Sequence, residues 1–188
     1  MQKLTKLVGS IFAVVVFLSP YLDAYAQTRY TLKTGEISFT SNAELELIKA
    51  SSAQVQGLID PQTNQFAFSI DVQTFRGFNS ELQREHFNEK YMESERFPKA
   101  RFSGKIIEQI DFTANDTYEV RAKGELEIHG EKQTRIIKGR ITTRDGVVKV
   151  DAKFLVPLAD HNITIPSIVS QKIATEIEVV FTASMVLQ

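Results

Sequence analysis

Apolar and polar residues alternate one by one along several long stretches of this sequence. In the longest, from Tyr118 to His129, Val120, Leu126 and Ile128 share one phase and charged side chains fill the other. Successive side chains of a β-strand point to opposite faces, so this period of two predicts a half-buried strand. At ~3.3 Å per residue the strand would be about 36 Å long, a length that suits the wall of an elongated barrel or sandwich.

The same alternation recurs in most of the chain. Asp145-Gly146, between two of the alternating stretches, is a strong hairpin signal. There is no βαβ spacing and no internal repeat, so we predict an all-β fold: an elongated, eight-stranded, antiparallel, lipocalin-like β-barrel with one short helical insertion. Further strands are predicted near residues 28–39, 45–57, 65–73, 100–106, 137–144, 147–158 and 173–185.

The helical insertion is predicted within residues 80–105, where the alternation stops and Glu, Lys, Gln and Arg accumulate. Ser80 and Gln83 match a capping box, whose two side chains accept hydrogen bonds from amides at the start of a helix. The apolar residues do not form a single stripe, so we expect two short helical pieces rather than one long helix. The second would start near Asn88, and a new strand would start at Ala100.

The first 26 residues are typical of a secretory signal peptide. Lys3 and Lys6 precede an apolar run over residues 11–18, and Ala24-Tyr25-Ala26 supplies the small residues of a cleavage site. The run is shorter than the ~20 residues of a membrane span, so an uncleaved anchor is the weaker alternative. We predict cleavage near Ala26, a single domain over residues 27–188 with no transmembrane span, and a periplasmic or secreted location.

The charge and cysteine content exclude several functions. The sequence has 22 Lys and Arg against 23 Asp and Glu and no basic block, which argues against a nucleic-acid partner. It contains no Cys, so disulfides, thiol chemistry, lipoprotein acylation and Cys-ligated zinc are excluded.

The sequence contains no recognisable catalytic motif. It lacks a nucleophile elbow, a P-loop and a dinucleotide fingerprint, and we predict a non-catalytic protein without cofactor or metal. Of the three histidines, His86 falls on the helix, His129 on the polar face at the end of a strand and His161 in a loop, which does not favour a shared metal site. A metal- or haem-dependent enzyme that uses His86 with another histidine is the weakest of our hypotheses.

The interior of the predicted barrel has two possible arrangements. An eight-stranded barrel can be filled by its own side chains or can hold one small ligand. Small residues at inward positions, Ala122, Gly124, Gly139 and Ala152, would leave an apolar tunnel between bulkier phenylalanines. The same residues could instead interdigitate with large ones in a solid core. The pattern alone leaves both alternatives open.

Two parts of the sequence resemble motifs of a known family. They are HFNEKYM with FPKARFSGK (residues 86–92 and 97–105) and GELEIHG (residues 124–130). Both resemble segments of the YceI-like family of bacterial lipid-binding proteins, and the similarity extends over nearly all of the chain after Gln27. Residues 160–167 depart from the R-x-[DE]-[FW]-G string that is common in this family, so the ligand of a relative need not be the ligand of this chain.

This resemblance implies an extended barrel that binds or carries an isoprenoid or another long-chain amphiphile, with the apolar tail inside. The polar head group would lie near Arg76, Arg84 and His86. The alternative is an envelope barrel with a filled interior that acts as a protein-interaction module, and the sequence leaves a homodimer open. The apolar contacts to the ligand would come from Phe66, Phe68, Ile70, Phe87, Tyr91, Phe102, Val120, Leu126, Ile128, Phe154, Val156 and Phe181.

Overall fold

A closed antiparallel β-barrel accounts for most of residues 28–188, the part of the chain that the computed structural model describes. This part of the chain has nine strands, but the barrel is eight strands around, because the short strands β2 and β3 share one place beside β1. Each of them pairs with a different part of β1. This is the eight-stranded barrel that the sequence predicts. Its strands are β1 (Tyr30–Asn42), β2 (Leu47–Ser52), β3 (Val55–Ile59), β4 (Gln65–Asp71), β5 (Lys99–Ile106), β6 (Asp116–Ile128), β7 (Glu131–Arg144), β8 (Val147–Pro157) and β9 (Glu176–Leu187).

The first strand closes the barrel. Residues 37–42 of β1 pair with β2, and Tyr30 and Thr31 pair with β3. On its other side, β1 pairs with β9 from Tyr30↔Leu187 to Thr40↔Glu178. Because β1 is hydrogen-bonded on both sides, the sheet curls into a wall instead of ending in exposed edges.

The helical insertion lies between β4 and β5, as predicted. It consists of α1 (Glu81–His86) and a π-helical turn (Phe87–Tyr91). The Ser80 side chain accepts a hydrogen bond from Gln83 N (3.1 Å), which confirms the predicted cap. The Gln83 side chain accepts one from Asn79 N (3.0 Å), one residue earlier than in an ideal capping box.

Two hairpin turns use left-handed backbone conformations. Asp145 and Gly146 have φ angles of 50° and 77°, as expected for the predicted Asp-Gly turn. His129 and Gly130 have φ angles of 53° and 75° and form a second turn of this kind. His129 therefore lies beyond the end of β6, and the prediction that it belongs to the outer, polar face of the strand is wrong. The left-handed backbone takes its side chain out of the strand alternation.

One end of the barrel is solid. Tyr30, Ile141, Val148 and Met185 form part of its core, and each is at most 4% exposed. The Tyr30 hydroxyl donates to Phe112 O (3.3 Å), and the two rings stack with centroids 5.4 Å apart. The opposite end carries the helical insertion and the long connection between β8 and β9, which includes short 3-10 turns at Leu158–His161 and Ser167–Val169.

None of the helices within residues 28–188 is both long and apolar enough to cross a membrane. The predicted signal peptide, residues 1–26, lies outside the described residues, so both it and the cleavage near Ala26 stay predictions.

Candidate ligand-binding cavity

The half of the barrel beneath the helical insertion is hollow. Its cavity has a volume of about 530 Å³, a size typical of small-molecule sites, and its wall is almost entirely apolar. The cavity stops at the solid end of the barrel. The sequence left two arrangements of the interior open, an apolar tunnel and a solid core, and each of them describes one half of the barrel. All the interior residues predicted from the sequence lie on this wall: Phe66, Phe68, Ile70, Phe87, Tyr91, Phe102, Val120, Leu126, Ile128, Phe154, Val156 and Phe181.

Small side chains make room for the cavity in the middle of the barrel. Ala122, Gly139 and Ala152 lie on its wall, as their inward phase predicts. Gly124 has another role. A Cβ on Gly124 would lie 2.9 Å from the carbonyl carbon of Ser103, because β5 and β6 approach each other closely at this point. This glycine therefore permits a close strand contact and adds no space to the cavity.

Aromatic rings hold the helical insertion over the cavity. The centroid of the Phe87 ring, at the start of the π-helical turn, lies 5.3 Å from that of Phe39, 5.0 Å from that of Phe78 and 5.9 Å from that of Phe75. All four side chains line the cavity. Aromatic pairs of this kind add stability beyond the area that they bury. The four rings, which we call the Phe87 cluster, thus fix where the insertion covers the barrel end.

Polar side chains interrupt the apolar wall near the insertion. His86, Tyr91 and Lys172 line the cavity, and within residues 28–188 no hydrogen bond or ion pair engages their side chains. Burial raises the pKa of the Tyr91 phenol, so its hydroxyl stays protonated and can donate a hydrogen bond. The Gln83 amide donates to Glu46 Oε1 (2.9 Å), and both residues also line the cavity. These groups can meet the polar end of an amphiphile.

The two arginines predicted near the head group lie outside the cavity. Arg76 donates to the carbonyl oxygen of Gln73 (2.6 Å), and Arg84 pairs with Glu81 (2.8 Å). Both arginines border a separate polar depression beside α1. Of the three predicted head-group residues, only His86 lines the cavity.

A hydrogen-bonded network links the loop after β8 to the turn between β6 and β7. His129 Nδ1 lies 3.0 Å from His161 O, and its Nε2 lies 3.0 Å from Glu93 Oε1. The His161 ring is fully buried, with Nδ1 3.2 Å from Glu131 O. Burial lowers the pKa of His161, so the ring is neutral and Nδ1 donates this bond. The sequence does not reveal this network, because only the fold brings its distant segments together.

The segment that departs from the family pattern, residues 160–167, contributes to the cavity. Ile163 is 6% exposed and lines the cavity wall, and His161 anchors the same segment. The cavity wall therefore includes a residue of the segment in which this chain differs. No three or more His, Cys, Asp or Glu residues within 28–188 are placed so that they could hold a metal ion together.

Several solved structures share this architecture. A polyisoprenoid binding domain from Saccharophagus degradans has a TM-score of 0.71 at 14% sequence identity, over 85% of this chain and 98% of that chain. Burkholderia cenocepacia BcnA has a TM-score of 0.66 at 15% identity, over 80% and 95% of the two chains. The Campylobacter jejuni YceI protein has a TM-score of 0.60 at 12% identity, over 78% and 88%. At such identities these similarities establish the fold alone.

The family assignment comes from the sequence. No curated protein matches the chain significantly. The family model of the YceI-like domain matches residues 26–185, which is most of the chain and includes both motif segments. This match confirms the resemblance that those motifs indicate. The chain belongs to the YceI-like family.

Proposed function

We propose that this protein binds one long-chain amphiphile, an isoprenoid or a comparable lipid, and carries it without chemical change. The observation that supports this most directly is the apolar cavity of about 530 Å³, which is closed at one end by the packed core around Tyr30 and Met185. A hydrocarbon chain is the ligand class that such a wall stabilises, since the wall offers almost no polar partners along its length. The similarity in fold to a polyisoprenoid binding domain supports the same ligand class.

The cavity volume limits how much of a chain it can enclose. At about 30 Å³ for each water-sized group, roughly 18 carbon-sized groups fit inside. If each buried CH₂ contributes ~0.8 kcal/mol, the transfer of such a chain from water would contribute about 14 kcal/mol. Only part of this amount would appear as binding free energy, because the chain loses conformational freedom on binding. A cost of about 4–6 kcal/mol would leave roughly 8–10 kcal/mol, which corresponds to micromolar or tighter affinity.

The polar end of the ligand would lie near the insertion. Tyr91 and His86 line the cavity there, and no hydrogen bond within residues 28–188 engages their side chains. They can therefore exchange hydrogen bonds with a hydroxyl, carbonyl or carboxyl group. Lys172 adds a positive charge on the same wall. Arg76 and Arg84 already have protein partners outside the cavity, so neither is placed to meet a charged head group inside it.

The cellular setting follows from the N-terminal pattern. A basic start, a short apolar run and Ala24-Tyr25-Ala26 would direct the chain across the inner membrane, after which cleavage near Ala26 would release residues 27–188. A carrier in the envelope would keep the apolar tail out of water between membranes. On the cavity wall, the Gln83 amide is hydrogen-bonded to Glu46, which is no nucleophile–base pair, and no such pair lines the cavity within residues 28–188. This supports carriage over catalysis.

Cavity filling tests the proposal with a matched control. Ala122 faces the cavity, whereas Ala67 is exposed on the outer face of β4. Ala122→Phe should weaken binding of a fluorescent fatty acid and of geranylgeraniol at least about tenfold, because the loss of only two CH₂ groups from the cavity costs ~1.6 kcal/mol. Ala67→Phe should bind both ligands normally. Equal affinities in the two variants would place the ligand elsewhere.

A second experiment asks what the protein carries in the cell. The full-length gene is expressed in its own host, and the mature protein is purified without detergent and examined by native mass spectrometry. The proposal predicts one bound lipid per chain, which organic solvent extracts. Empty protein from the native host, together with no binding of either test ligand, would overturn it.

A further inference from the structure

The backbone ladder between β7 and β8 is incomplete. It has six residue pairs, lies toward the solid end of the barrel and ends at Gly139↔Ala152. Beyond this pair, β7 continues to Glu131 beside β6, and β8 continues to Pro157 beside β9. The wall is therefore split between β7 and β8 next to the hollow half of the barrel.

The sequence of β8 gives a reason why the ladder does not resume at the far end of the strand. Leu155 O points toward β7, since it accepts a hydrogen bond from the Arg135 side chain of that strand (2.8 Å). Backbone groups two residues apart in a strand point to the same side, so those of Pro157 also face β7. Proline has no N–H group and cannot donate to a ladder at this position.

Side chains connect the two strands where the ladder is missing. Arg135 Nη2 donates to Leu155 O, and its Nη1 lies 3.2 Å from Asp160 Oδ2. The Gln133 amide donates to Asp160 O (2.7 Å). We call Gln133, Arg135 and Asp160 the Arg135 clamp. A few partly exposed side-chain bonds open at a lower free energy than a continuous ladder does, so this part of the wall can separate locally.

Two exposed apolar side chains flank the split on its outer side. If the register of Gly139↔Ala152 continued, Ile136 would pair with Leu155. These two side chains are 56% and 48% exposed, and they are among the most exposed large apolar residues of the described chain. They lie on opposite strands of the split, so a hydrocarbon chain that crosses the wall here would meet apolar contacts on both sides.

The cavity reaches the wall at the same place. Phe154 and Val156 of β8 line it from the inside. Lys138 of β7, the first position beyond the last residue pair of the ladder, lines it as well. The cavity therefore extends along the inner side of the split.

We propose that the split between β7 and β8 is a side portal through which the hydrocarbon chain of the ligand enters and leaves the cavity, with the Arg135 clamp holding it closed. This inference rests on the proposed lipid-binding function. Passage through the wall lets a chain slip in lengthwise without lifting the insertion, which the Phe87 cluster holds in place.

Such a portal affects the rates at which the ligand binds and dissociates, and it leaves the dissociation constant unchanged. Removing the clamp lowers the barrier to opening but alters no contact with the bound chain, so association and dissociation should accelerate by the same factor. The loss of one hydrogen bond to a charged group corresponds to about tenfold in rate. A merely structural role of Arg135 would instead change Kd or leave the exchange rates as they are.

The experiment compares Arg135→Met with Arg140→Met in the mature protein. Arg140 also lies on β7 and pairs with an acidic residue, Glu119, but its part of the strand has a complete ladder. Stopped-flow fluorescence with cis-parinaric acid, and its displacement by geranylgeraniol, give both rate constants and Kd. We expect about tenfold faster exchange at unchanged Kd for Arg135→Met alone. Equal rates in the two variants would overturn the portal, whereas failure of the wild type to bind either ligand would overturn the proposed function itself.

A cross-link provides a second test that does not depend on Arg135. The chain has no Cys, so Ile136→Cys with Leu155→Cys introduces the only two thiols. A cleavable bismaleimide that joins them should slow the exchange of both ligands at least about tenfold, and its cleavage should restore the rate. Unchanged exchange in the cross-linked protein would show that the ligand uses another route.

Discussion

The aromatic ring of Phe68 covers Gly57 on the neighbouring strand. The two residues are cross-strand partners on β4 and β3, and a Cβ on residue 57 would lie only 2.5 Å from Phe68 Cε1. The ring centroid is 5.0 Å from that of Phe181 and 6.0 Å from that of Phe66. Glycine therefore lets this ring lie flat against the wall and keeps the cavity open.

Gly57→Ala should reduce both stability and ligand capacity. In an unconstrained strand this change would stabilise the protein slightly, because alanine has fewer unfolded conformations than glycine. Here the new methyl group displaces the Phe68 ring into the cavity, at a cost of about 1–3 kcal/mol. Urea unfolding measures the loss of stability, and competition with fatty acids of increasing length measures the loss of capacity. Adding Phe68→Leu should restore much of both, and a fully stable Gly57→Ala protein would contradict the steric argument.

Phe87→Ala should release the helical insertion from the barrel. The Phe87 ring makes close aromatic contacts with Phe39, Phe75 and Phe78, and its loss should cost about 3 kcal/mol. Hydrogen exchange should accelerate in residues 81–91 and remain slow in β6 and β7, whose ladder does not involve the insertion. Leu82→Ala is the control, because Leu82 lies in the same helical insertion, on α1, and is 58% exposed. It should change stability by less than about 0.5 kcal/mol.

The buried His161 should make the protein less stable in mild acid. Burial lowers its pKa in the folded state, so below about pH 6.5 the unfolded chain binds a proton that the folded chain resists. The free energy of unfolding therefore keeps its full value above about pH 6.5 and declines as the pH falls toward the pKa that His161 has in the folded protein. His161→Leu should lose about 1 kcal/mol at pH 7.5 through the missing bond to Glu131, but should decline less on acidification. Denaturant midpoints between pH 7.5 and 5 test this, and parallel curves for the two proteins would contradict it.

The sequence predicted the barrel wall well because alternation is a local property of a strand. Phe66, Phe154 and Phe181 face the cavity because they lie in the inward phase of β4, β8 and β9. The length of the hollow part was not predictable in this way. It depends on which rings meet across strands, as with Phe68 over Gly57, and therefore on the register.

Side chains outside the regular strands were harder to predict. Arg76 and Arg84 lie in or beside the helical insertion, near the predicted place of the head group, but nearby hydrogen-bond acceptors hold their side chains outside the cavity. His129 continues the polar phase of β6 in the sequence, and only its left-handed turn takes it out of the strand. In each case the outcome depends on one local hydrogen bond or one backbone angle, and a period-two pattern contains no information about either.

The Tyr91 hydroxyl should recognise the polar end of the ligand. It lines the cavity, stays protonated and has no hydrogen-bond partner within the described residues, so an oxygen of the head group can accept its proton. Tyr91→Phe should therefore weaken the binding of octadecanol by about fivefold to tenfold, which is the value of one hydrogen bond near 1 kcal/mol. Its affinity for octadecane, which has the same chain but no hydroxyl group, should not change. Competition against cis-parinaric acid gives the four dissociation constants of this cycle.

Tyr118→Phe is the matched control for that cycle. The Tyr118 hydroxyl donates to Asp111 O (3.3 Å) and is outside the cavity, so its removal should leave both affinities unchanged. His86→Gln should preserve octadecanol binding if the His86 ring donates to the same oxygen, since the glutamine amide can replace that donor. Arg84→Ala should have no effect, because its guanidinium is engaged by Glu81. An equal loss of octadecanol and octadecane binding in Tyr91→Phe would mean that the ring supports the wall and that the head group lies elsewhere.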